Sequence, residues 1–196
     1  MKCLYFLFLL FVFISSFTPG PNNFLAMTYA NQHGLKRGIQ FCIGVAFGFF
    51  ILTFLCSFFN VVLINILPTI ELPLKILGVA YMLYLAFKIL TSKGNTEPTE
   101  KNNTNLFTVG ISLQFVNPKG ILFGLTVVST FILPYYQSYL SYVFFSLFLG
   151  LVGLMSTFSW SLFGSMFQKI LLKHNRLFNI IMAILLVFSA FSIVVN

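Results

Sequence analysis

Charge is what this chain lacks most. Of its 196 residues 7% are charged, eleven basic and three acidic. A soluble domain carries about 25% charged residues, so this count cannot clothe a soluble globule. Cysteine and histidine are also scarce, at three and two. Cys3, Cys42 and Cys56 have no metal-ligand spacing. Cys42 and Cys56 lie in one apolar run, roughly 21 Å apart at helical rise, too far to bridge. His33 and His174 fall in connectors, so no buried histidine pair offers a haem or zinc site. No metal or cofactor is expected. An embedded enzyme would need a His/Glu metal motif, paired carboxylates, or a Ser or Cys beside a base. None is visible, so no catalytic residue is assigned.

What is present is apolar. Hydrophobic residues make up 59% of the chain, phenylalanine alone contributes 27, and mean hydropathy is +0.98. This excludes disorder and points to a multi-pass membrane protein in contact with lipid. At about 20 residues per spanning helix, the chain holds at most about six spans. Six apolar runs fit, at about 4–31, 39–66, 74–90, 107–133, 138–164 and 177–195. The polar stretch 93–106 separates a first half, 1–92, from a second, 107–196, within one membrane domain, 1–196.

A net charge of +8 would suggest nucleic acid in a soluble protein. Here the cations lie thinly between apolar runs, and topology explains them without a nucleic-acid partner. Lys36, Arg37, Lys88, Lys93, Lys101, Lys169, Lys173 and Arg176 fall in or beside the first, third and fifth connectors. The other side holds only Lys2 and Lys75. Basic residues favour cytoplasmic loops, so the odd connectors are assigned to the cytoplasm and both termini to the outside. A signal peptide is the alternative for the N-terminus. However, its apolar run meets Thr-Pro-Gly-Pro and not a small-residue cleavage site.

Two spans carry breaks. The first contains Phe17-Thr18-Pro19-Gly20-Pro21-Asn22-Asn23, and two prolines there remove backbone donors and clash with the preceding turn. The fourth contains Gln114-Phe115-Val116-Asn117-Pro118-Lys119-Gly120. There Asn before Pro is a helix-start signal, with Asn as cap and Pro at the first helical position. Pro19 and Pro118 are 99 residues apart, half the chain. Each half then holds three spans with the first broken near mid-membrane. Three is odd, so the halves insert oppositely, as in inverted-repeat transporters. The fold class is an all-α membrane protein of six helices in two inverted three-helix repeats. The plainer alternative is two proline kinks that only shape packing.

Broken ends carry chemistry. Restarting half-helices near Asn22 and Lys119 aim N–H groups and a positive dipole end at the gap, which suits a carboxylate. Half-helices ending near Ser16 and Val116 leave carbonyls that suit an ammonium. A zwitterionic amino acid matches both. Lys119 is the one cation placed inside a span, where a charge costs about 3 kcal/mol on insertion scales. It can pair with a substrate carboxylate, carry protons, or snorkel to the surface. The candidate binding residues are Thr18, Pro19, Gly20, Pro21, Asn22, Asn23, Gln114, Asn117, Pro118, Lys119 and Gly120.

Other signals are weaker. Thr157, Ser161 and Ser165 form an i, i+4 stripe beside Trp160, and read as packing more than ligand contacts. Gly44-x-x-x-Gly48 and Gly120-x-x-x-Gly124 permit close helix approach. Glu71 and Lys75 form an i, i+4 pair that reads as a surface feature.

Phe17-Thr-Pro-Gly-Pro-Asn22, Gly78-Val-Ala-Tyr-Met-Leu-Tyr-Leu-Ala86 and Phe115-Val-Asn-Pro-Lys-Gly120 together resemble the LysE/RhtB family of amino-acid exporters, in order and across the chain. Within it, Thr18–Asn23, His33-Gly34, Leu113–Asn117, Ser129–Pro134 and the run from Leu177 to Val187 are similar to the branch that exports cysteine and O-acetylserine. The resemblance implies efflux of small neutral amino acids through the bacterial cytoplasmic membrane by alternating access, with proton coupling and oligomerisation both open. It carries the family's motif onto Pro19, Gly20, Pro21, Asn22, Asn117, Pro118 and Lys119. Many relatives have an acidic residue just after Pro-Gly-Pro. Here Asn22 stands in its place, which removes a carboxylate proton carrier from that position. The runner-up reading is a channel or auxiliary membrane subunit without active transport.

Overall fold

A computed structural model describes residues 2–91, 105–167 and 175–195. Most of the described residues are helical, with no strand among them. In chain order they are α1 (Lys2–Phe17), α2 (Pro21–His33), α3 (Leu35–Phe58), α4 (Asn60–Thr91), α5 (Leu106–Val116), α6 (Pro118–Val127), α7 (Tyr139–Met166) and α8 (Asn175–Val195). Helix α6 continues into a five-residue π turn, Val128–Ile132. Most of the polar stretch expected at 93–106, with Lys93, Lys101, Lys169, Lys173 and His174, lies outside the described residues.

Both proline breaks form. The α1–α2 pair bends by 46° and the α5–α6 pair by 66°. Four further stretches are long and apolar enough to cross a membrane: Leu35–Phe58, Pro68–Thr91, Tyr139–Met166 and Arg176–Ile193. Counting each bent pair as one span gives up to six. The order bent pair, helix, helix occurs twice, the plan of two three-helix repeats.

One pair of expected boundaries is corrected. Hydropathy predicts a second apolar run over 39–66, but α3 stops at Phe58 and the chain turns at Phe59, whose N–H donates to Leu55 O at 2.9 Å. Residues from Asn60 onward belong to α4, so the helix read as 74–90 starts at Asn60 and runs through Pro68 and Pro73. Only Ser57 and Asn60 interrupt the apolar sequence at this turn, too little polarity to separate two helices by composition.

The outer surface is apolar, unlike that of a soluble domain. Large apolar side chains face outward, among them Phe6, Leu72, Phe87, Leu140, Phe144 and Phe188. Buried residues include Asn23, Gln114, Asn117, Ser156, Thr157, Ser161 and Ser189. Lipid solvates the first group, and internal hydrogen bonds must satisfy the second. Apolar packing fills the rest. Phe8, Val12, Phe49, Val128 and Leu149 join α1, α3, the π turn and α7, while Met27, Leu85, Met182 and Leu186 join α2, α4 and α8.

Small residues set the closest approach. A Cβ on Gly44 would fall on the Phe107 carbonyl oxygen, and one on Gly110 would lie 2.5 Å from Phe41 O. A Cβ on Gly48 would lie 2.8 Å from both Ile111 O and Gln114 Cγ. Helices α3 and α5 therefore touch backbone to backbone along the Gly44–Gly48 stripe, a packing mode open to small residues. The second glycine pair behaves differently. Cβ atoms at Gly120 and Gly124 would meet neighbours at 3.6 and 3.5 Å, which is ordinary contact.

Gly44→Ala is expected to lower the detergent melting temperature sharply. The helix-propensity gain of roughly 1 kcal/mol is smaller than the cost of forcing α3 off α5. Gly153→Ala is the control, since its Cβ would meet only Phe49, at 4.0 Å. Equal melting temperatures for the two variants would refute a tight α3–α5 seam.

Candidate functional site

The two breaks face each other, and side-chain amides join them. Asn22 Nδ2 donates to Gln114 Oε1 at 2.9 Å, and Asn117 Nδ2 donates to Asn22 Oδ1 at 2.9 Å. Gln114 Nε2 donates back to Gly110 O at 3.1 Å. Gln114 and Asn117 are buried and Asn22 partly so. Gly48 leaves the room that the Gln114 side chain occupies.

The ends differ in how they are capped. At α6, Asn117 accepts from Lys119 N–H at 3.2 Å with Pro118 in the first turn, the arrangement its Asn-Pro-Lys sequence anticipates. At α2 the cap position is Gly20, which has no side chain to accept the first-turn N–H groups. The positive end of α2 is left without a side-chain cap.

The carbonyl end of α1 is crowded with donors. Ser16 O accepts from Asn23 Nδ2 at 2.8 Å and Ser156 Oγ at 2.7 Å. Phe17 O accepts from Trp160 Nε1 at 3.3 Å. Lys119 Nζ donates to Thr18 O at 3.2 Å and Pro19 O at 3.1 Å, and lies 3.4 Å from Ser189 Oγ. Ser189 Oγ also donates to Pro19 O. Helix α1 was expected to leave carbonyls free for an ammonium. Its last carbonyls are already spent on side chains from α2, α6, α7 and α8, because unpaired backbone inside a membrane costs several kcal/mol per group.

Lys119 thus spans the gap between repeats. Its stem packs over Gly20, where a Cβ would sit 3.0 Å from Lys119 Cδ. Its three acceptors are all neutral oxygens, so its positive charge is solvated without being neutralised.

Thr18, Gly20, Pro21, Asn22, Asn23, Gln114, Asn117, Lys119 and Gly120 line one cavity of about 60 Å³, room for a few waters. Pro19 and Pro118 do not line it. Pro19 contributes its carbonyl to Lys119, and Pro118 starts α6 and packs against Gly78. Ser156 and Thr157 complete the wall. Ser156 was missed in the sequence, although adjacent Thr157 was marked. Of the marked stripe, Ser161 is buried and donates to Ala26 O at 3.0 Å, while Ser165 is only partly buried. Ser189 is not singled out by the sequence either: with Ser192 it forms an i, i+3 serine pair in an apolar run, a pattern that reads as packing.

A family profile described as LysE type translocator matches residues 13–196. Curated relatives named "Cysteine/O-acetylserine efflux protein" are similar over nearly the whole chain. One from Salmonella paratyphi A is 39% identical over 180 residues, covering 92% of each chain. One from Klebsiella pneumoniae is 37% identical over 189 residues, covering 96% of each, and one from Escherichia coli K12 is 36% identical, covering 92% of each. No solved structure matches the chain.

Asn22→Ala strands Gln114 Oε1 and Asn117 Nδ2, each at a cost of about 1–3 kcal/mol when buried. In a double-mutant cycle by SDS unfolding, Asn22→Ala and Gln114→Ala should couple by about 0.5–3 kcal/mol. Strictly additive losses would show that the amide chain is not a unit.

Proposed function

This chain belongs to the LysE type translocator family, and from that premise we propose that it binds its substrate in the gap between the two breaks. It is a multi-pass inner-membrane transporter that exports small amino acids, not an enzyme. The finer substrate assignment, cysteine or O-acetylserine, follows the printed names of its relatives.

One observation carries the site. Lys119 is a partly buried cation held only by neutral oxygens, next to a helix N-terminus without a side-chain cap. Two positive features converge, and among the described residues no acidic side chain bonds to Lys119, which favours a carboxylate. The ammonium then takes the amide oxygens of Asn22 and Gln114. Each accepts one bond within the chain and keeps a second lone pair.

Transport follows from what binding changes. A substrate carboxylate on Lys119 competes with the Thr18 and Pro19 carbonyls for the ammonium. Releasing those carbonyls frees α1 from α6, and so loosens one repeat from the other. Alternating access is then rocking of the repeats about this point. Coupling to a proton gradient is assigned to Lys119, the ionisable group at that contact. The sequence halves 1–92 and 107–196 are the rocking units. The odd connectors are placed in the cytoplasm with both termini outside, by the positive-inside bias.

Purified protein in liposomes should show saturable O-acetylserine flux that responds to a pH gradient. Lys119→Gln should reduce it to the empty-liposome level while membrane insertion persists. Wild-type flux in that variant would remove Lys119 from the mechanism, and unsaturable flux would favour a channel. A cysteine replacing Asn103, in a chain cleared of Cys3, Cys42 and Cys56, should resist an impermeant thiol reagent in intact cells. Labelling there would reverse the orientation.

A further inference from the structure

A second cavity opens on the far side of Lys119. It measures about 300 Å³ against about 60 Å³ for the first, and Lys119 and Ser15 line both. Its other walls come from the Glu71–Lys75 stretch of α4, the end of α6 with its π turn, and the end of α8. These segments lie toward the chain termini, the side assigned to the outside.

Its charge content is unusual for this chain. Among the described residues Glu71 is the only carboxylate side chain, because the other two acids are Glu97 and Glu100. Glu71 lines this cavity, and Lys75 Nζ lies 2.9 Å from its Oε1. The sequence pattern reads the pair as surface decoration, yet both side chains border the space that ends at Lys119. The π turn brings Ser129 to the same wall. Such turns are rare and recur at functional sites.

We propose that this cavity is a second amino-acid site on the exit side, where Glu71 receives the ammonium of a small zwitterion and Lys75 its carboxylate. A carboxylate has about four acceptor positions and an ammonium three donors. The ion pair uses one of each, so a zwitterion closes a square of alternating charges without breaking it. The cavity's volume of about 300 Å³ suits a small ligand. Lys119 belongs to both walls, so a departing carboxylate passes from Lys119 to Lys75 and keeps a cation partner throughout. This assignment rests on the amino-acid export reading.

The test uses full-length protein in detergent, with Cys3, Cys42 and Cys56 replaced by serine and Ser129→Cys added. O-acetylserine is the probe, and the readout is the rate of thiol labelling. O-acetylserine should slow labelling several-fold. Glu71→Gln and Lys75→Gln should each abolish the protection, while Lys119→Gln preserves it. Should Glu71→Gln fail to fold, Lys75→Gln decides alone. Protection that survives both charge removals, or is lost with Lys119→Gln, overturns the second site. So does an absence of protection in a preparation that transports O-acetylserine in liposomes. Protection by a preparation that shows no flux upholds the site and overturns the export reading instead.

Discussion

The hydrogen bonds from Lys119 to the Thr18 and Pro19 carbonyls are the contact on which the arrangement depends. A helix broken inside a membrane exposes backbone that lipid cannot solvate. The end of α1 is therefore tolerable only while other parts of the protein hold it. Asn23 supplies part of that hold locally, and Ser156, Trp160, Lys119 and Ser189 supply it from the other half of the chain. The same break that makes room for a ligand thus ties the two repeats together.

The opposite break is solved differently. Asn117 caps α6 from within its own segment and also reaches Asn22. Local capping needs no distant partner, so α6 keeps its start whatever α1 does. The repeats share a plan but not a chemistry. One break is held locally by an asparagine, the other largely by residues far away in sequence.

This difference explains what could be read in advance. Pro19, Pro21 and Pro118 announce both breaks because proline acts on its own backbone, and Asn117-Pro118 announces its cap for the same reason. Lys119 stood out because charge is so scarce. Ser156 and Ser189 gave no such signal, since their importance comes from carbonyls more than a hundred residues away. The α3–α4 turn has little signal because only Ser57 and Asn60 interrupt the apolar sequence around it. Glu71 and Lys75 form the accessible i, i+4 pair that their spacing predicts, but the cavity they border comes from neighbouring helices and has no local signal.

The glycine contact between α3 and α5 bears on how such a protein moves. Gly44, Gly48 and Gly110 bring two backbones into direct contact, and the Gln114 side chain fills the room left at Gly48. Attraction between backbones in such contact is largely dispersion, and a gap of about 0.5–1 Å already forfeits a quarter to a half of it. A face of this kind behaves as a latch and not as a spring. It holds at full strength while shut, and once parted by the width of an atom it exerts almost no pull. Cycling between two definite shapes, with little time spent between them, is what a latch of this kind imposes on the helices it joins.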